Sequence, residues 1–194
     1  MIGLCGANSL GLGVAVNTLW QLPSSPSGLP VACVARGLLA QRNIAEAAAW
    51  LTVTPQASGQ HYMLGDPDGF ASFEASAKSV QQMTWDESAP NFIHTNHPIS
   101  TPARNARQLA AEENSRGRYQ SLCELTGGKT FNVAQVRSAL ADRTGPHPIS
   151  VQPRAGDDSG MMTFASIVME LRRPPAIQIA PGPPCSNPYL HIAG

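Results

Sequence analysis

Charge is what this chain lacks most. Only 13% of its 194 residues are Asp, Glu, Lys or Arg, about half the share of roughly 25% in ordinary soluble domains. The thirteen basic residues cancel the thirteen acidic ones. Without a basic excess there is little to neutralise a run of phosphates, which argues against a nucleic-acid binder. Cys5, Cys33, Cys123 and Cys185 are the only cysteines, and no two form a C-x-x-C pair. That spacing excludes a zinc knuckle or a redox motif, and a disulfide framework is not expected in a chain this long. Reduced thiols fit a cytoplasmic location. No apolar run reaches the length of about 18 residues that a membrane span needs. Residues 1–22 are apolar, but they carry no basic stretch ahead of the apolar run and are broken by Asn8, Ser9 and Asn17, so they do not read as a signal peptide.

What is present suffices for one domain, residues 1–194. Apolar residues make up 42%, enough for a sizeable core. Glycine and proline number 17 each, above their usual combined share of about 12%, which favours strands and turns over a helix bundle. Ile2–Leu19 reads as a hairpin turning at Asn8-Ser9-Leu10-Gly11. Beyond the turn, Leu12, Val14 and Val16 face one way while Gly13, Ala15 and Asn17 face the other. Such a small face lets another sheet or a ligand come close to the backbone.

Pro23–Pro30 reads as a loop, Val31–Gln41 as an apolar helix, and Asn43-x-x-Glu46 as a capping box opening a second helix through Leu51. Strands are expected at His61–Leu64 and Phe70–Glu74, joined by the turn Gly65-Asp66-Pro67-Asp68-Gly69. A third is expected around Asn91–Asn96. A helix follows from about Ser115, with Tyr119, Leu122 and Cys123 as its buried stripe and Gly127-Gly128 as its stop. Asn132-x-x-Gln135 caps another, ended by Gly145-Pro146. Closing strands fit Met161–Leu171 and Ala176–Ala180 around the turn Arg172–Pro175, and Pro181–Pro184 is too rich in proline to pair. Strands and helices therefore alternate in clusters, the order of an α+β fold with antiparallel sheets.

Several familiar motifs fail. Gly127-Gly128-Lys129-Thr130 resembles half of a phosphate loop, but the required first glycine falls on Cys123. Gly11-x-Gly13 lacks the third glycine of a dinucleotide site, and no G-x-S-x-G elbow occurs. His94 and His97 would face opposite sides of a strand, so they could not share a metal. No cofactor is implied.

One stretch survives: Asn91-Phe92-Ile93-His94-Thr95-Asn96-His97-Pro98. Pro98 keeps His97 extended, and alternation would set Phe92, His94 and Asn96 on one face. Polar groups gathered where a strand ends, with a carboxamide at the tip, suit a cleft. The plainer reading is a turn capped by Asn96 with both histidines solvated.

Together with Gly6-Ala7-Asn8-Ser9-Leu10-Gly11-Leu12-Gly13-Val14-Ala15-Val16-Asn17, the string Ile93-His94-Thr95-Asn96-His97 resembles the acyl-CoA:6-aminopenicillanic acid acyltransferase family, also called the C45 peptidases, relatives of the choloylglycine hydrolases. The Leu64–Gly69 turn, the Phe73-Glu74 strand and the helix start at Ser115–Arg118 stand in the same order, so the resemblance covers nearly the whole chain.

It implies an N-terminal nucleophile hydrolase fold, an αββα sandwich of two antiparallel sheets between helix layers. It also implies an enzyme that cuts its own precursor before a cysteine. The freed α-amino group, with a pKa near 8, acts as base for that cysteine's thiol, which attacks a small-molecule amide or an acyl-CoA-type thioester. By the same resemblance, Asn96 supplies the N–H that stabilises the tetrahedral oxyanion. Asn17 matches a second cleft asparagine of the choloylglycine relatives, and His94 is the candidate for substrate binding.

The chain departs from that pattern in two places. The family's nucleophile belongs upstream of the Gly6–Asn17 hairpin, and Cys5, the only early cysteine, follows Leu4 within the expected strand. Cys33 in an apolar helix, Cys123 on a buried stripe and Cys185 in the tail are no better placed. The family's basic residue beside the thiolate would align with Ser159, with Arg154 as the nearby cation, and Asp157-Asp158 reads as a solvated turn. The chain is thus expected to be the C-terminal part of the family fold, truncated at its N-terminus and inactive without the cysteine segment. It would tend to dimerise or to associate with that segment. The competing expectation is a non-catalytic remnant that binds a small amide-bearing ligand.

Overall fold

A computed structural model describes residues 4–86, 89–100, 106–153, 156 and 161–192, with backbone alone for 106–108 and 111. Arg154, Asp157, Asp158 and Ser159 lie outside the described residues. The architecture is α+β, as expected, with four helices and two antiparallel sheets of five and three strands among the described residues.

The first sheet is a meander of β1 (Gly6–Ala7), β2 (Gly13–Thr18), β3 (Gln60–Asp66), β4 (Gly69–Ala75) and β5 (Val80–Gln82) in chain order. Its opening turn is built by Asn8, whose Oδ1 accepts from the N–H groups of Leu10 and Leu12 while Gly11 takes φ 88°. In the second hairpin the Asp66↔Gly69 pair leaves Pro67 and Asp68 as the loop, and this sets His61 opposite Glu74. Because side chains alternate, one sheet face carries Val14, Tyr62, Leu64, Ala71, Phe73 and Ala75. Helices α1 (Val31–Leu38) and α2 (Ile44–Val53) close over that face with Val34, Leu38, Ala47 and Leu51, all fully buried.

The two helices meet at Gly37, where a Cβ would lie 2.2 Å from the Trp50 ring. The first helix stops at Leu38, short of Gln41, because its end tightens into turns from Ala40 N–H to the Gly37 carbonyl and from Gln41 N–H to that of Leu38. The second is capped as expected by Asn43, which accepts from Glu46 N–H. The Glu46 carboxylate turns to Arg42 instead of completing the box.

Helix α3 (Ala106–Thr126) starts well before Ser115, and the stripe read from Tyr119, Leu122 and Cys123 extends back through buried Ser115 and Glu112. It ends at Gly127 and Gly128, both at positive φ. Helix α4 (Val133–Leu140) has the complete Asn132/Gln135 capping box. The second sheet has the order β6 (Ser166–Glu170), β7 (Ala176–Ala180), β8 (Leu190–Ile192). Its first strand is shorter than Met161–Leu171, and β8 follows the proline-rich stretch, which itself stays unpaired as expected.

The third strand expected at Asn91–Asn96 does not form. Side-chain bonds pin this backbone in place of a ladder. Asn91 Nδ2 donates to the Lys129 carbonyl at 2.7 Å, and Thr95 Oγ1 donates to the Ser115 carbonyl at 3.0 Å. The alternation expected of Phe92, His94 and Asn96 is lost with the strand: His94, Thr95 and His97 are buried, and Asn96 is half-buried.

The chain divides into two compact units. One comprises Met1–Trp85, Asn96–Glu112 and Met169–Ala176, and the other Asp86–Thr95, Glu113–Val168 and Ile177–Gly194. None of the helices among the described residues is long and apolar enough to cross a membrane.

Candidate active site

The face of the five-stranded sheet opposite the helices carries small and polar residues beside Met63 and Phe70. At one end, Gly13 on β2 and Gly65 on β3 admit the Leu171 side chain so closely that a Cβ on either would sit 2.5 Å from one of its methyl groups. At the other end, register aligns Asn17, His61, Glu74 and Gln81 in one row across β2, β3, β4 and β5. Polar residues on a sheet face need partners once buried, and this row has them.

Asn17 is half-buried, and its Oδ1 lies 3.2 Å from His61 Nδ1. The other ring nitrogen, Nε2, is 2.8 Å from Ser72 Oγ, and both His61 and Ser72 are fully buried. Glu74, 2% exposed, accepts from Ile99 N–H at 2.6 Å, from Ser100 N–H at 3.2 Å and from the Ser100 hydroxyl. A buried carboxylate holding three donors clamps the segment that follows Asn96.

Asn96 itself is tied to the same unit from two sides. Its Nδ2 donates to the Thr18 carbonyl at 3.3 Å, and its own carbonyl accepts from Gln21 Nε2 at 3.1 Å. The structure thus brings Asn96 to the end of β2, against the residue next to Asn17. His94 belongs to the other unit and is buried there.

In the sequence His61 and Glu74 read as ordinary strand residues. The turn read over Gly65–Gly69 hid their pairing; once the loop closes to Pro67 and Asp68, hairpin register sets His61 opposite Glu74. Beside the clamp, a cavity of about 240 Å³ is lined by Leu22, Pro23, Glu74, Ser76, Lys78 and Ser100, among others. That size admits a fragment, not a whole drug-sized ligand. A larger cavity of about 440 Å³ lies in the other unit, along α3 and residues 144–147, and is lined by none of Asn17, Asn96 and His94.

The four cysteines differ in their surroundings. Cys5 sits just before β1, not within a strand, and burial pushes its thiol up. Cys33 is exposed on α1, and Cys123 and Cys185 are half-buried. A nucleophilic thiol needs the opposite of the Cys5 environment, one that stabilises the thiolate.

The family model described as acyl-coenzyme A:6-aminopenicillanic acid acyl-transferase matches residues 1–182. No curated protein matches the chain.

Proposed function

Since the chain belongs to the acyl-coenzyme A:6-aminopenicillanic acid acyltransferase family, we propose that it carries the oxyanion side of an acyl-transfer site of the N-terminal nucleophile type, built on Asn96 and Asn17. The observation that carries this reading is the placement of the Asn96 carboxamide at the end of β2, held by Thr18 beside Asn17. A neutral amide fixed by its neighbours needs no reorganisation when negative charge develops on a carbonyl oxygen, which is what makes such donors effective.

In this reading a cysteine thiolate adds to the carbonyl of a small-molecule amide or thioester. The oxyanion takes a hydrogen bond from Asn96, and the C–N or C–S bond breaks. The leaving group departs with a proton, and water or an amine then resolves the acyl-cysteine. The nucleophile is not one of the four cysteines of these 194 residues; the raised Cys5 thiol supports that assignment. The protein works in the cytoplasm. The raised Cys5 thiol equally favours, as the second reading, a non-catalytic form that binds a small amide-bearing ligand.

One assay separates these readings. The purified chain is incubated with acyl-amide and acyl-CoA substrates, alone and with an added segment that begins in cysteine. Turnover only with the segment supports the enzyme, while ligand binding without turnover in either case supports the second reading. Turnover by the chain alone that disappears in Cys5→Ala makes Cys5 the nucleophile and overturns the assignment. Association of the chain with the segment, or with a second copy, is read in the same samples by light scattering.

A further inference from the structure

We propose that His61 is a positioning residue: held between Ser72 and Asn17, it locks the Asn17 carboxamide with its NH2 group turned away from the ring, as a fixed donor. This rests on the reading of Asn17 as a site residue.

A carboxamide oxygen only accepts, so a ring nitrogen 3.2 Å from Asn17 Oδ1 must carry the proton. His61 Nδ1 is therefore N–H, and neutral His61 has a bare Nε2. The Ser72 hydroxyl, 2.8 Å from Nε2, then donates to it. One directed chain results, from Ser72 O–H to Nε2 and from Nδ1–H to Asn17 Oδ1.

A flipped Asn17 would set its NH2 against the Nδ1–H, two donors facing each other. Undoing that clash requires the ring to exchange tautomers and the serine hydroxyl to rotate. With His61 and Ser72 both fully buried, no bulk water sits at hand to carry the proton from one ring nitrogen to the other, so the flip is slow. The backbone adds rigidity, because Asn17 and His61 are directly paired across β2 and β3 while Ser72 lies on β4, opposite Met63. Each of the three groups thus stands on a strand, not on a loop, which is how a site holds a donor within a fraction of an ångström. The amide nitrogen remaining on Asn17 is a donor aimed by the sheet itself, suited to a carbonyl oxygen of substrate.

Two measurements test this. Nitrogen-15 NMR of the 194-residue chain reads the ring tautomer of His61 directly. A single Nδ1–H tautomer is expected in the unsubstituted chain, and Asn17→Ala, which removes the acceptor, should give a mixture with Nε2–H. An Nε2–H ring in the unsubstituted chain, or a ring indifferent to Asn17→Ala, overturns the proposal.

The second measurement uses the form that turns over with the added cysteine segment. His61→Asn places a donor where Nδ1 stood, whereas His61→Gln keeps only the Ser72 side. The Gln variant should lose about tenfold or more in kcat with KM little changed, as a misplaced group does, and the Asn variant should recover most of that loss. A role in packing alone would not rank the two variants this way. If the tautomer result holds but neither variant changes kcat, the lock is real and the assignment of Asn17 to the site is what fails.

Discussion

The carboxylate of Glu74, on the fourth strand of the sheet, receives both the backbone N–H and the hydroxyl of Ser100. Together with its bond from Ile99 N–H, this fastens the chain just beyond Asn96 to the sheet face that also bears Asn17 and His61. A hydrogen bond to a charged group contributes about 1.5–3 kcal/mol, so Glu74 is where the segment's position is decided.

Glu74→Gln should therefore loosen residues 96–100 without collapsing the sheet, because its volume is kept while one accepting oxygen becomes a donor. Hydrogen exchange at Ile99 and Ser100 is expected to quicken, with global unfolding in denaturant shifted by only about 1–3 kcal/mol. Unchanged exchange at both amides would show that the clamp does not hold the segment.

Asn96→Ala, made in the form that turns over, should lower kcat roughly 100- to 1000-fold with a much smaller change in KM, since the oxyanion exists only near the transition state. Combining it with Glu74→Gln should cost little more than Asn96→Ala alone, because the clamp acts through Asn96. A large rise in KM with kcat intact would instead make Asn96 a ground-state binding group.

Tyr62 sets the response to alkali. Its hydroxyl donates to Gln56 Oε1 within the core, and burial pushes the phenol well above its ordinary value of 10.0. The folded state then keeps its proton where the unfolded chain releases it. Stability is full below about pH 10 and falls as the pH rises further, because the unfolded state binds fewer protons there. Stopped-flow phenolate absorbance should show Tyr62 ionising only with unfolding. Tyr62→Phe removes that alkaline loss but leaves Gln56 Oε1 without its donor, at a cost of about 1–3 kcal/mol near neutral pH.

Two glycines divide sharply. A Cβ on Gly59 would lie 2.2 Å from the Leu19 carbonyl oxygen, just past the end of β2, while one on Gly69 would meet nothing within 4 Å. Gly59→Ala should destabilise by about 1–3 kcal/mol and Gly69→Ala should be near neutral, measured by chemical denaturation. Equal effects would mean that the β2 end is free to move.

Thiol reactivity should follow exposure. Cys33, exposed on α1, is expected to alkylate first, and Cys5, half-buried with its thiol pushed up, to lag behind it. Mass spectrometry after timed iodoacetamide treatment gives the order. A Cys5 faster than Cys33 would indicate an activated thiol there.

Local chemistry in the sequence determined much of this protein. Asn8, Asn43, Asn132 and the Gly127-Gly128 pair mark their turns and helix ends because capping and positive φ are decided within a few residues. The turn within Gly65–Gly69 was also marked locally, but only the folded hairpin narrowed it to Pro67-Asp68 and so set which residues of β3 and β4 face each other. The string around Asn96, with the Gly6–Asn17 segment, was enough to point to the family. Tertiary structure decided the rest. Asn91–Asn96 has strand-like residues but no strand, because Lys129 and Ser115 take up its side chains, a choice made by partners distant in sequence. Strands β5 and β8 have three residues each, too few to show a period, and form only where a neighbouring edge receives them. The early start of α3 was hidden because good helix formers such as Ala110, Glu112 and Glu113 carry no apolar rhythm. Above all, the meeting of Asn17 with His61 and of Glu74 with Ser100 is a product of sheet pairing and chain return. Side-chain hydrogen bonds reach only about 3 Å, so no property of either residue alone foretells which donor the folded chain will set beside it.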